Sequence, residues 1–152
     1  MQLDKEWAEQ FAGACAKIPS SLRKAFPSGK FIYSGTPEDR CWVVTSGYVK
    51  LIDPRPDGKS VIRLIHGRGG LIGARPFASK AFHGFKTVQL EQAVAHGPAE
   101  VLELDRTVME NAALADPPLT RRLLESAAVR SEFIERRLLW QYTTPTRVRV
   151  AA

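Results

Sequence analysis

The hydrophobic positions of this chain change period twice. From Asp4 to Ala16, Trp7, Phe11 and Ala14/Cys15 recur every three to four residues with Asp4 placed as a cap, which predicts a short amphipathic helix ended by Pro19. A second helical turn is expected from Ser20 to Phe26, stopped by Pro27, Ser28 and Gly29. From Lys30 the pattern becomes strand-like and is cut by glycines: Lys30 to Ser34, Cys41 to Thr45, Tyr48 to Ile52, Ser60 to His66, and Leu71-Ile72. Two further strands are expected at Thr87 to Ala93 and Glu100 to Leu104. Between Tyr48 to Ile52 and Ser60 to His66, Pro54-Arg55-Pro56-Asp57-Gly58-Lys59 reads as a hairpin, because Asp-Gly takes the positive φ of a tight turn and the prolines blunt the pairing edge. Roughly eight short strands at this spacing predict a closed roll or sandwich.

After Leu104 the period changes again. Asp105 to Asn111 begins a short helix, Asp116-Pro117-Pro118 breaks it, and nothing interrupts a helix from Leu119 to Tyr142. That helix would run about 36 Å, longer than the diameter of about 25 to 30 Å expected for a roll of about 90 residues. On a helical wheel Leu123, Leu124, Ala127, Ala128, Ser131, Ile134, Leu138, Leu139 and Tyr142 make one broad stripe, and Val129, Phe133 and Trp140 a second. Two apolar faces need two partners. One covers the roll, and the other is expected on the same helix of a second copy, with Leu124, Ala127, Ser131, Ile134 and Leu138 at the dimer interface. The alternative is that both stripes bury within one subunit. Ser131 interrupts the stripe and either meets a ligand at the dimer seam or bonds back to its own helix.

Composition narrows the classes. The 152 residues are 44% apolar and 25% charged, which fits one globular domain and argues against disorder, a collagen-like chain or a disulfide scaffold. No window approaches the roughly 18 apolar residues of a membrane span, and Met1 to Trp7 is charged rather than signal-like, so no membrane partner and a cytoplasmic location are expected. Cys15 and Cys41 are expected as buried, reduced thiols. Net charge is +6, from 22 basic and 16 acidic residues, and seven arginines against three glutamates crowd the stretch from Arg121 to Arg149. Such a basic end suits nucleic acid phosphates or a solvated helix face. His66, His83 and His96 are scattered and read as turn or surface residues. Without a histidine–carboxylate cluster, a Ser-His-Asp ordering or a phosphate loop, no metal site, catalytic residue or enzyme activity is expected.

The glycine frame carries a resemblance. Phe31-Ile-Tyr-Ser-Gly35, Trp42-Val-Val-Thr-Ser-Gly47-Tyr-Val-Lys50, Asp57-Gly58-Lys59 and Gly69-Gly70-Leu-Ile-Gly73 occur in order, followed by the long helix after a Pro-rich break. From about Phe26 to Ala152 the chain resembles the effector-sensing domain of the catabolite-activator/Fnr (Crp-Fnr) family of bacterial transcription regulators. Gly35, Gly47 and Gly58 also fall where strands are expected to reverse. The resemblance implies a mainly β fold with α: a double-stranded β-helix (jelly-roll) β-roll, flanked by short N-terminal helices and a long C-terminal dimerisation helix. It implies a roll with N-terminal helices at 1–118, the dimerisation helix at 119–142, and at 143–152 a hinge and the start of a DNA-binding domain absent from this chain. Pro145 breaks the helix and Thr146 offers a cap to one with no room to form, so the chain is expected to be a fragment of a longer regulator.

In cyclic-nucleotide-binding members a helix N-terminus after a Gly-Glu step collects the phosphate, aided by an Arg-Ser or Arg-Thr pair. Here that step reads Gly73-Ala74, so the ribose-binding carboxylate is replaced, and the following Arg75-Pro76 removes an amide donor. Lys86-Thr87 stands in for the Arg-Ser pair, and Arg130-Ser131 is the nearest match to an adenine-contacting pair on the long helix. The resemblance therefore assigns Gly73, Ala74, Arg75, Lys86, Thr87 and Ser131 to the ligand site. A cyclic nucleotide stays a candidate against which these departures count, the effector is otherwise unassigned, and no cofactor is called for. The cysteine cluster of iron-sulfur relatives is absent. Implied partners are a second copy, DNA through the absent domain and a small effector. Two alternatives remain open: a stand-alone module regulating a protein partner without DNA, and a jelly-roll metalloenzyme.

Overall fold

The computed structural model of the protein describes residues 1–35, 37–78 and 91–143. Helix α1 (Lys5–Ala16) starts where expected, with Asp4 accepting from the Trp7 N–H at 2.9 Å, and buries Ala8, Phe11 and Cys15. Six strands follow among the described residues: β1 (Leu22–Phe26), β2 (Phe31–Ser34), β3 (Arg40–Pro54), β4 (Ser60–His66), β5 (Leu71–Gly73) and β6 (Gln92–Asp105). The chain closes with α2 (Arg106–Leu114) and α3 (Pro117–Thr143). Helix and strand contribute about equally, in the arrangement of a cyclic-nucleotide-binding jelly roll.

The architecture rests on two long antiparallel strands, β3 and β6, paired along most of their length. On its other edge β6 carries β1 and β2 end to end, while β3 carries β5 and β4 in the same manner. The β3/β6 register shifts between Val44 and Tyr48, and such bulges bend strands and increase their twist. Alternation then serves two cores. Cys41 and Val43 on β3, with Leu102 and Leu104 on β6, face α1, α2 and the first turn of α3. Their neighbours Trp42, Val44, Val101 and Ala99 face the second cluster with Leu51, Leu64 and Ile72. Cys15 and Cys41 are free and buried, as expected.

Three expectations are corrected. Ser20 to Phe26 is not a helical turn: Leu22 to Phe26 pairs with Glu103 to Ala99 of β6, and diagonal ion pairs Arg23–Glu100 and Lys24–Glu103, each 3.0 Å, lie along that edge. A five-residue segment has little helical stability of its own, so the open edge of β6 decides its conformation. Cys41 to Thr45 and Tyr48 to Ile52 form one strand, and Gly47 sits at the bulge inside it rather than at a reversal. His66 is not a surface residue; only 1% of it is exposed. The hairpin is as read, with the Lys59 N–H donating to Asp57 Oδ1 at 3.0 Å and Gly58 at φ +79°.

Candidate functional site

A cavity of about 410 Å³ lies between the end of the roll and α3. Its walls come from His66 at the end of β4, Leu71 of β5, the loop Arg75 to Ala78 and one face of α3 from Thr120 to Arg130. Volume and lining match a small-molecule pocket: mostly apolar walls with a few convergent polar groups. Among the described residues no carboxylate lines it.

Each wall has a local cause. Gly73 has φ +89°, and a Cβ there would lie 2.7 Å from the Trp42 ring and 2.8 Å from the Arg40 carbonyl, so β5 ends on a residue only glycine satisfies. The next amide, Ala74, donates to that carbonyl at 2.8 Å. Phe77 adopts a left-handed backbone (φ +67°), unusual for a bulky side chain, and its N–H donates to Glu110 Oε1 of α2 at 2.8 Å. Glu110 is itself buried and lies 3.7 Å from the Nε of Arg106 one turn earlier. The loop carrying Arg75 is therefore fastened to α2 by a charge-assisted bond.

His66 Nε2 lies 3.1 Å from Arg130 Nη1. Arginine only donates, so Nε2 accepts, which assigns the ring proton to Nδ1. Burial, then Arg75 and then the amino terminus push the His66 pKa down to about 3, so the ring is neutral at physiological pH. His66 Nδ1 is buried and has no hydrogen-bond partner among the described residues. Burial likewise lowers the Arg75 pKa, opposed by the charge of Glu91 and by Tyr33. Glu91 already accepts from Tyr33 and from Arg63, whose Nε also lies 3.6 Å from Asp53. Tyr33 stacks on Trp42 with ring centroids 4.9 Å apart.

Of the residues assigned from sequence, Arg75 lines the cavity, whereas Gly73 and Ala74 form the strand end beneath it and Ser131 is exposed outside it. Lys86 and Thr87 lie outside the described residues. The sequence reading missed His66 and Glu110, and gave Arg130 only through its neighbour. One signal was available: Leu119, Leu123, Ser126, Arg130, Phe133 and Arg137 fall on one helical row, so Arg130 occupies a roll-facing position. In the structure Leu119 is buried, Leu123 and Phe133 pack on the two cores, and Arg137 donates to the Arg63 carbonyl.

About a quarter turn round the wheel, Leu124, Ser131 and Leu138 are spaced by seven, as are Ala127 and Ile134, in the a and d pattern of a coiled coil. Leu124 is 67% exposed and Leu138 48%, and Ala127, Ser131 and Ile134 are exposed as well. Leu139 and Trp140 are also exposed, so α3 is not tucked wholly beneath its own roll.

No protein-family model and no curated protein matches the sequence. Solved structures do. The N-terminal domain of a transcriptional regulator from Streptomyces coelicolor is 23% identical, with TM-score 0.53 over 87% of this chain and 86% of that one. The c-di-GMP-responsive global regulator CLP of Xanthomonas campestris is 20% identical, with TM-score 0.63 over 90% of this chain and 60% of that one. A CooA mutant from Carboxydothermus hydrogenoformans is 14% identical, with TM-score 0.65 over 94% and 86%. These neighbours are transcription regulators of the Crp/Fnr family, matched over the sensor-domain region. At such identities the likeness is one of fold, and the chain spans about three fifths of the Xanthomonas regulator. No described helix is long and apolar enough to cross a membrane.

Proposed function

We propose that the chain is the effector-sensing and dimerisation part of a cytoplasmic Crp-Fnr-like transcription regulator without enzymatic activity. Two copies pair through the a and d positions of α3, and a winged helix-turn-helix contacts DNA; the stretch 144–152 that would lead to it lies outside the described residues. An effector in the cavity between roll and α3 biases the angle of the paired helices and hence the spacing of the DNA-binding heads. Such coupling requires that the ligand contact the two arrangements differently.

One observation carries this reading. Leu124 and Ala127 line the cavity and also belong to the exposed heptad row. A partner helix laid on that row would close the cavity, so its occupant and the partner share a wall. A cyclic nucleotide fits this site poorly. Ala74 offers no carboxylate to a ribose hydroxyl, and its amide is already bonded to Arg40. An unmatched polar group in an apolar pocket discriminates strongly.

Site-directed crosslinking tests the pairing. In a parallel dimer position 131 faces its own copy, so Ser131→Cys should give a disulfide-linked dimer under mild oxidation. Arg136→Cys, on the opposite side of the helix, should not. The native thiols are silent in this assay: both are buried, and burial pushes Cys41 up to about 12 and Cys15 higher still. A monomer by light scattering with no Ser131→Cys crosslink would refute the reading.

A further inference from the structure

Among the described residues the cavity walls carry two guanidinium groups and no carboxylate. The Arg75 guanidinium makes no hydrogen bond or ion pair with any other described residue, and the only side-chain partner of the Arg130 guanidinium among them is the neutral ring of His66. Arg75, Arg130 and His66 line the same cavity, and Arg130 touches the ring directly. Glu91, the acid nearest in effect to Arg75, is already bound by Arg63 and Tyr33. Guanidinium groups withdrawn from water without a carboxylate are unfavourable until an anion arrives. The remaining walls are apolar, led by Leu71, Phe77, Leu123 and Leu124. Of the two hydroxyl residues, Thr120 already donates to the Ala113 carbonyl, so few groups remain for the sugar and base edges of a nucleotide.

We propose that the effector is an amphipathic organic acid, its carboxylate gripped by Arg75 from the roll and Arg130 from α3, its apolar body lying between Leu71 and Leu123. This rests on the sensor reading above and assigns the ligand class of that site. The carboxylate replaces the neutral His66 nitrogen as acceptor for Arg130, a weaker bond exchanged for a charge-assisted one. Because Arg130 belongs to α3 and Arg75 to the roll, that exchange changes what holds the helix to the roll.

The test is calorimetry and thermal melting of the full chain with 4-phenylbutyrate, octanoate and 1-naphthoate. The isosteric 4-phenylbutyramide, 4-phenylbutylamine and cyclic AMP serve as comparisons. At least one acid should bind and raise the melting temperature, with amide and amine weaker by about tenfold or more. Arg75→Gln and Arg130→Gln should each lose a similar factor for the acid while melting cooperatively without it, and Ala127→Trp should abolish binding by filling the cavity. Binding by none of the acids, equal binding of amide and acid, or indifference to both glutamine variants would overturn the proposal. Tight cyclic AMP binding with no acid binding refutes the ligand class alone, whereas a monomer by light scattering with no Ser131→Cys crosslink refutes the sensor reading itself.

Discussion

Arg130 Nη1 lies 3.1 Å from His66 Nε2, which joins the long helix to the last residue of β4. The pair is asymmetric. The arginine always carries its charge, and the histidine is buried where it cannot easily gain one. The ring also sits against the main chain, since a Cβ on Gly70 would come within 2.7 Å of it. A neutral acceptor packed against the main chain is thus presented to a cation on the helix that leaves the roll.

Protonation of His66 should cost stability in a defined window. Its pKa is about 3 in the folded protein and near the ordinary 6.5 when unfolded. The contribution is fully present above pH 6.5 and is lost as pH falls from 6.5 towards 3, because the unfolded chain takes up the proton first. The slope attributable to this group is up to about 1.4 kcal/mol per pH unit. Urea unfolding of wild type and His66→Gln between pH 7.5 and 5 should show a flatter profile for the variant; parallel profiles would show that His66 titrates normally when folded.

Gly73→Ala should be among the most damaging single-atom changes to the roll. The residue has a positive φ, and the added carbon meets the Trp42 ring and a backbone oxygen at under 3 Å. Left-handed strain and overpacking together suggest a loss of about 3 kcal/mol. At Gly58, also at positive φ but with open space around it, Ala should cost only about 1 kcal/mol. Chemical denaturation of both variants checks the ranking, and equal losses would mean that the Trp42 contact relaxes freely.

Glu110 should hold the Arg75 loop more than it holds α2. Glu110→Ala strands the Phe77 N–H and should destabilise by about 1 to 3 kcal/mol, whereas Glu110→Gln keeps an acceptor and should lose less. Hydrogen exchange at the Phe77 amide should accelerate in the alanine variant and change little in glutamine. Unchanged exchange in Glu110→Ala would show that the loop has other support.

Charge placed on the exposed heptad row should separate copies without unfolding the roll. Ile134→Glu, or Leu124→Glu with Leu138→Glu, should give monomers by light scattering with little change in melting of the dissociated chain, since these side chains are substantially exposed in one subunit. A dimer persisting in all of them would place the interface elsewhere.

Much of this was legible in the residues. The uninterrupted run after Pro118 fixed a helix longer than its roll, and the apolar run from Cys41 fixed a strand. Asp57-Gly58 fixed a hairpin, and the surplus of apolar positions on the long helix marked Leu124, Ile134 and Leu138 as residues that one subunit leaves bare. All are local consequences of side-chain period and backbone preference, which a one-dimensional pattern carries. Tertiary structure decided the rest. Leu22 to Phe26 became a strand because β6 offered an unpaired edge, and the two halves of β3 became one strand through a bulge against β6. His66 and Arg130 came to line one cavity and Glu110 to hold a loop of its wall, although 44 to 64 positions separate His66 from the other two. Burial and desolvation depend on which distant segments meet, so the chemistry of such residues is set by the fold rather than by their neighbours in sequence.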